Sequence, residues 1–435
     1  MRARQAAGRA GGAAARAALA GLCLLLAACG DPQSRATVGT VPQVTDPVPS
    51  GEHLYCIANV GHTLVAYDLL ARAVLPGTAR YLALDPVGPW FADGAGYYLS
   101  RVETSGAGAN ALIRFDPVTT VELARLPFPA NSNPNSLLLL SGTHAGKAWV
   151  ALRGSTFDNF ATAGIAVVEL ATLGHTATCD LNADTATCAR LAPTTGLDWT
   201  SPLGFLWDPA CNSGGGCAYT VVNNFDGSVR DGVLLVLRPD AQGVPQRLDA
   251  IPLGRNPQQE LVLEGTGELW VVNNGGFVHY DSAGQGGTLQ VLDTTAFANG
   301  TPSGETLATI PVPPAGVDCA TLPRPDPGCD PTGIYALNGQ TAWVTTYPDD
   351  VLRSVNLTTN ELEDLNTALL RITGPLFPVT IDPRNPDGKA LFAALGGLGL
   401  AKLGELDPTT GALLGDPQLL QAGQAPLSCS EYDNQ

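Results

Sequence analysis

Two stretches decide the reading of this chain: Lys147–Leu152, KAWVAL, and Glu268–Asn274, ELWVVNN. Each is short, almost wholly apolar and centred on one tryptophan. That suits a strand covered on both faces and is too short for a buried helix. Five further runs have the same form: HLYCIA at 53, GYYLS at 96, CAYTVV at 217, TAWVTT at 341 and KALFAAL at 389. Their aromatics are Tyr55, Tyr98, Trp149, Tyr219, Trp270, Trp343 and Phe392, spaced by 43 to 73 residues.

Each run is followed by a second one: LVAYDL, LIRFDP, IAVVEL, VLLVLRP, LQVLDT, VLRSVNL and LGELDP. Several continue into a Thr-containing turn and another short apolar piece, as in FDPVTTVEL, VNLTTNEL and LDPTTGALL. An Asp or Asn there bonds the backbone two residues on and fixes a tight hairpin. A third run, usually after a proline, precedes most aromatic strands: PNSLLLL, PLGFLW, PQQELVL, PTGIYAL and PVTID. Seven units of about four strands predict an all-β fold, a seven-bladed β-propeller of four-stranded blades. A β-sandwich or a two-domain split does not predict seven aligned aromatics.

A propeller closes its ring when one end of the chain completes a blade begun by the other, which removes an unpaired edge. The terminal APLSCSEYDN has a proline before an apolar start and fits the innermost strand of the first blade, beside HLYCIA. The cysteines agree with this. Setting aside Cys23 and Cys29, eight remain, an even number that in an exported chain implies disulfides. Cys179 with Cys188, Cys211 with Cys217, and Cys319 with Cys329 each close a short loop, which leaves Cys56 facing Cys429.

The succession of proline, apolar strand, (L/A)-W-V, V-x-x-(V/L)-(D/N) and a Thr turn resembles the surface-layer YVTN class of bacterial propeller repeats, over about residues 53–431. At the other end, Arg2, Arg4, Arg9 and Arg16 precede the apolar run LAGLCLLLAAC, which is too short for a membrane-spanning helix. Leu26-Ala27-Ala28-Cys29 resembles the lipobox of bacterial lipoproteins. That resemblance implies a signal peptide over 1–28 and a lipid on Cys29, and Gly30, in place of an aspartate, favours an outer over an inner membrane. Residues 29–50, rich in Pro, Thr, Val and Gln, read as a tether and 51–435 as the propeller domain.

The formal net charge is −17 at pH 7. From Cys29 onward 19 Lys plus Arg face 40 Asp plus Glu. Such a chain carries no basic surface for nucleic acid or for an electrostatic grip on anionic lipid, so its expected membrane contact is the lipid anchor alone.

Motifs of chemistry are scarce: the sequence has no nucleophile elbow, phosphate loop or dinucleotide fingerprint. Topology says more. The links between blades and those joining second to third strands emerge on one face, and the long insertions fall mostly there. They carry Phe157, Phe160, Trp199, Phe225, Phe277, His279, Tyr280 and Tyr347 among Asn, Gly and Ser, a composition suited to binding a protein, peptide or glycan. The expected protein is a monomeric, non-catalytic, cell-envelope binder. The alternative rests on a resemblance to gluconolactonase-type propellers, metal-dependent hydrolases that hold a divalent cation at the channel mouth. It implies Asn133, Asn135, Asn223, Asn256, Glu260 and Asn273 as oxygen ligands for Ca2+ or Mg2+.

Overall fold

The computed structural model describes residues from Val48 onward, apart from several connections; side chains are described to Leu362, with a few exceptions. Residues 1–47, and with them Cys29, lie outside the described residues, as do Phe157, Phe225, Phe277, His279, Tyr280, Cys319 and Cys329. The side chains of Glu260, Tyr347 and Cys429 also lie outside them.

The chain is all-β. Strands β1 (Gly51–Ala58), β2 (Thr63–Asp68), β3 (Ala73–Val74) and β4 (Arg80–Tyr81) begin it. Six antiparallel sheets of four consecutive strands follow. They are β5–β8 (Asp85–Ala92, Ala95–Arg101, Ala111–Phe115, Glu122–Pro127), β9–β12 (Pro134–Leu139, Lys147–Leu152, Gly164–Glu169, Gly174–Asp180) and β13–β16 (Pro202–Asp208, Cys217–Val222, Asp231–Pro239, Pro245–Arg255). The last three are β17–β20 (Pro257–Glu264, Glu268–Asn273, Thr288–Asp293, Thr306–Pro311), β21–β24 (Asp330–Ala336, Thr341–Tyr347, Leu352–Asn356, Glu361–Asp364) and β25–β28 (Leu376–Ile381, Leu391–Gly397, Leu400–Leu406, Gln418–Ala422). Strand β29 (Pro426–Asn434) returns to pair with β1, giving the order β29-β1-β2-β3.

Successive sheets pack face to face. The leading strands β29, β5, β9, β13, β17, β21 and β25 touch in that order, and β25 in turn touches β29. In the sheets whose side chains are described, this propeller-like arrangement covers the second and third strands on both sides, which is why they read as continuous apolar runs. Strand β10 is buried from Ala148 through Leu152 and β14 throughout. The six aligned aromatics with described side chains, Tyr55, Tyr98, Trp149, Tyr219, Trp270 and Trp343, are all buried. The outer strands β8 and β20 alternate exposed and half-buried residues.

The hairpin chemistry expected from the sequence is present. Asp116 Oδ1 accepts from Val118 N–H at 2.8 Å, Asp240 Oδ1 from Gln242 N–H at 2.8 Å, Asp293 Oδ1 from Thr295 N–H at 2.8 Å and Asn356 Oδ1 from Thr358 N–H at 2.9 Å. Each turn joins a third strand to a fourth.

Cys179–Cys188 and Cys211–Cys217 form disulfides. Cys56 is disulfide-bonded as well, and Cys429 stands opposite it in the β1–β29 register. Val48, assigned to the tether by composition, is buried and donates its N–H to Val118 O at 2.7 Å.

Candidate functional site

Every sheet has two ends. At one, leading strands begin and second strands finish, and the long connections 102–110, 153–163, 181–201, 223–230, 274–287, 312–329 and 365–375 leave from there. Five leading strands start at a proline preceded by a small polar or acidic residue: Asp85-Pro86, Asn133-Pro134, Ser201-Pro202, Asn256-Pro257 and Asp330-Pro331. Asn133, Ser201 and Asn256 hold positive φ of 45°, 57° and 50°. Asn tolerates this left-handed conformation better than most residues with a side chain.

The bend lets the two residues before the proline accept from the chain leaving the second strand. Arg153 N–H reaches Asn133 O at 3.2 Å and Gly154 N–H reaches Ser132 O at 2.9 Å. Asn223 and Asn224 repeat the pair on Ser201 and Thr200 at 3.1 and 3.0 Å. Asn274 and Gly275 do so on Asn256 and Arg255 at 3.0 and 3.1 Å.

The same positions tie each sheet to the next. Arg101, at the end of β6, donates through Nε to Asp85 at 2.7 Å and through Nη1 to Asn135 Oδ1, on the following leading strand, at 2.6 Å. Asn223 Nδ2 donates to Asn256 Oδ1 at 2.8 Å, Asn256 Nδ2 to Asn274 Oδ1 at 3.1 Å, and Asn274 Nδ2 to Pro331 O at 3.0 Å. Three sheets are thereby linked by one chain of amides. Behind it, Asn273 Nδ2 reaches Gln290 Oε1 at 3.2 Å, and Gln290 Nε2 reaches back to Pro252 O at 3.1 Å.

Asn223 and Asn256 are thus engaged between sheets. Asn133 and Asn273 are buried, and their Oδ1 atoms have no hydrogen-bond partner among the described residues. Glu260 lies on β17. Among the described residues, asparagine oxygens aside, no group of three or more His, Cys, Asp or Glu side chains is placed to hold a metal ion. Of the expected binding aromatics, Phe160 and Trp199 are 7 % and 9 % exposed and belong to the apolar cluster around Trp149. These two rings anchor their connections to the core rather than standing open, because the links are long enough to fold back onto it. Among the described residues at this end, Asp85 stands opposite Arg101 and Asp231 opposite Arg255 in their strand registers.

Sequence reasoning missed Arg101, Asn274 and Gln290. The fivefold Asp/Asn/Ser-Pro step at the head of the leading strands was the signal that could have found this edge.

At the opposite end of the sheets, the aligned aromatics reach the outer turns of the next sheet. Tyr55 OH donates to Pro117 O at 2.7 Å and Trp149 Nε1 to Gly243 O at 2.7 Å. Tyr219 OH donates to Asp208 at 2.9 Å and also meets Thr294 of the next sheet. Burial, with the Asp208 carboxylate beside it, holds the Tyr219 phenol far above its ordinary pKa. Burial, and then the nearby Glu122 carboxylate, push Tyr98 up to about 12.

The sequence matches no family model and none of the curated proteins. Solved structures match over most of the chain. A functionally unknown protein from Desulfotomaculum acetoxidans is 11% identical over 87% of this chain and 98% of its own, with a TM-score of 0.55. A putative 6-phosphogluconolactonase from Bacteroides uniformis is 12% identical over 88% and 100%, also at 0.55. Hydrazine synthase from Kuenenia stuttgartiensis is 12% identical over 83% and 95%, at 0.53. At such identities the likeness establishes a propeller-like fold and nothing about chemistry.

Proposed function

We propose that this chain is an exported lipoprotein, anchored through Cys29 to the cell envelope at an outer membrane. Its monomeric, seven-bladed β-propeller is closed by β29 and clasped by Cys56–Cys429, and it binds a protein, peptide or glycan without catalysing a reaction. The successive contact of leading strands, returning from β25 to β29, supports the closed ring. The observation that carries the binding role is the sorting of connections. Seven connections of eight or more residues leave the polar end of the sheets, among them the two longest, 181–201 and 312–329, against four at the opposite end, 209–216, 294–305, 382–390 and 407–417. A rigid frame with extended loops on one side is a binding architecture.

Photo-crosslinking in intact cells tests this. A crosslinkable residue at Tyr347 or Tyr280 is expected to trap a discrete partner, while one at Tyr81, exposed on β4, traps none. Equal labelling from all three positions would refute the loop-face reading. Separately, Cys29→Ser is expected to release the protein from the membrane fraction, and retention there would refute the anchor.

A further inference from the structure

A second surface feature lies on the seam between the sheets β9–β12 and β13–β16, where part of the 181–201 connection meets β16. The Cys179–Cys188 disulfide closes a loop at the end of β12 and holds the segment after it against β16. Between them lies a groove of about 300 Å³. Thr187, Ala189 and Arg190 line one side, and Val244, Gln246 and Arg247 the other.

Both arginines are positioned by main-chain carbonyls. Arg190 Nη1 donates to Asn182 O at 3.3 Å and Arg247 Nη1 to Leu191 O at 2.6 Å. Among the described residues neither forms an ion pair, and Arg190 Nε is buried with no hydrogen-bond partner. The one carboxylate on the groove, Asp240, accepts through Oδ1 from Gln242 and Val244 N–H to close its turn. Among the residues that line the groove, two guanidinium groups face one carboxylate, an excess of one positive charge in a chain whose net charge is −17; Asp184, off the lining, accepts through Oδ1 from Arg190 N–H at 3.0 Å. Guanidinium forks match a carboxylate in geometry. A monoanion balances the excess charge, whereas a phosphate dianion overshoots it. The volume stands at the lower end of ligand sites and suits one sugar ring. Val244 and Ala189 offer apolar contact, and Thr187 and Gln246 can bond hydroxyls.

We propose that this groove binds a monosaccharide-sized carboxylate, a uronic-acid unit, between Arg190 and Arg247. The test is calorimetric titration of the full-length protein in detergent at low salt, with glucuronate, glucose and glucose 6-phosphate as probes. Glucuronate is expected to bind and glucose not to. Arg190→Gln and Arg247→Gln each weaken glucuronate binding by about tenfold or more, with the folded state retained by circular dichroism at the titration temperature. Arg247→Lys, which keeps the charge without the fork, retains part of the affinity. The control Arg125→Gln, on outer strand β8, leaves it intact. The proposal is overturned by absence of glucuronate binding, by equal binding of glucose, by tighter binding of glucose 6-phosphate, or by indifference to both arginine substitutions.

Discussion

The two ends of the sheets solve one problem, holding each sheet to the next, by different means. At the aromatic end large buried rings fill the interfaces, and Tyr55 and Trp149 also cap a turn of the next sheet, on Pro117 O and Gly243 O. Carboxylates there are consumed in tight turns, as Asp116, Asp240 and Asp293 are. At the polar end small residues and amides do the joining, with Asn223, Asn256 and Asn274 handing one hydrogen bond to the next. The first arrangement draws its strength from buried area and the second from side-chain hydrogen bonds that cross from sheet to sheet. The backbone bends at Asn133, Ser201 and Asn256, where leading strands begin, and there the chain leaving the second strand is held by main-chain hydrogen bonds. The aromatic end carries fewer long connections.

If that contrast holds, Trp149→Ala has the largest effect. It empties a fully buried indole site and orphans Gly243 O, and it is expected to cost about 3–5 kcal/mol in chemical denaturation. A loss below ~1 kcal/mol would break the claim that the ring carries the interface.

Close approach comes next. An added Cβ at Gly232 would lie 2.2 Å from Pro257 Cγ of the following sheet, and one at Gly287 would lie 2.2 Å from Pro331 Cδ. Gly232→Ala is therefore expected to destabilise by roughly 1–3 kcal/mol, since neither the proline nor the strand can yield freely. Unchanged stability would mean that the sheets slide apart easily.

Asn256→Ala removes one donor and one acceptor from the amide chain. An expected loss of about 1–3 kcal/mol follows from leaving Asn223 and Asn274 without their partner. A double-mutant cycle of Asn256 with Asn274 should show coupling, and strict additivity would deny the chain its cooperative character.

The pH dependence is the mildest distinction. The Tyr98 phenol is raised from 10.0 to about 12, so its contribution is fully present below the unfolded value and is lost as pH climbs through about 10 to 12. Tyr98→Phe is expected to flatten the alkaline arm of the stability profile. An equally steep arm in the variant would assign it to other groups.

Much of the frame was legible in the chain. Runs such as KAWVAL and CAYTVV declared buried strands because side chains covered on both faces leave no polar alternation to disguise them. The Asp and Asn turn formers were readable because their bonds span only two or three residues. Phe160 and Trp199 were not, because whether a ring on a long link folds back onto the core depends on surfaces contributed by other sheets. The asparagines of the polar end looked like candidate ligands because their oxygens are chemically suited to a cation. Only the neighbouring sheets show that Asn256 spends its amide on Asn223 and Asn274.

By itself, then, the sequence determined the strand inventory, the aromatic core positions and the turn chemistry, all set by contacts within one short stretch. Tertiary structure decided which polar groups tie sheet to sheet, and it decided which connections lie open. It also brought Arg190 and Arg247 to one groove from 57 positions apart along the chain. The physical reason is range: propensity, patterning and Asx turns act over a few residues, whereas a hydrogen bond between sheets depends on the packing of segments that the local sequence does not encode.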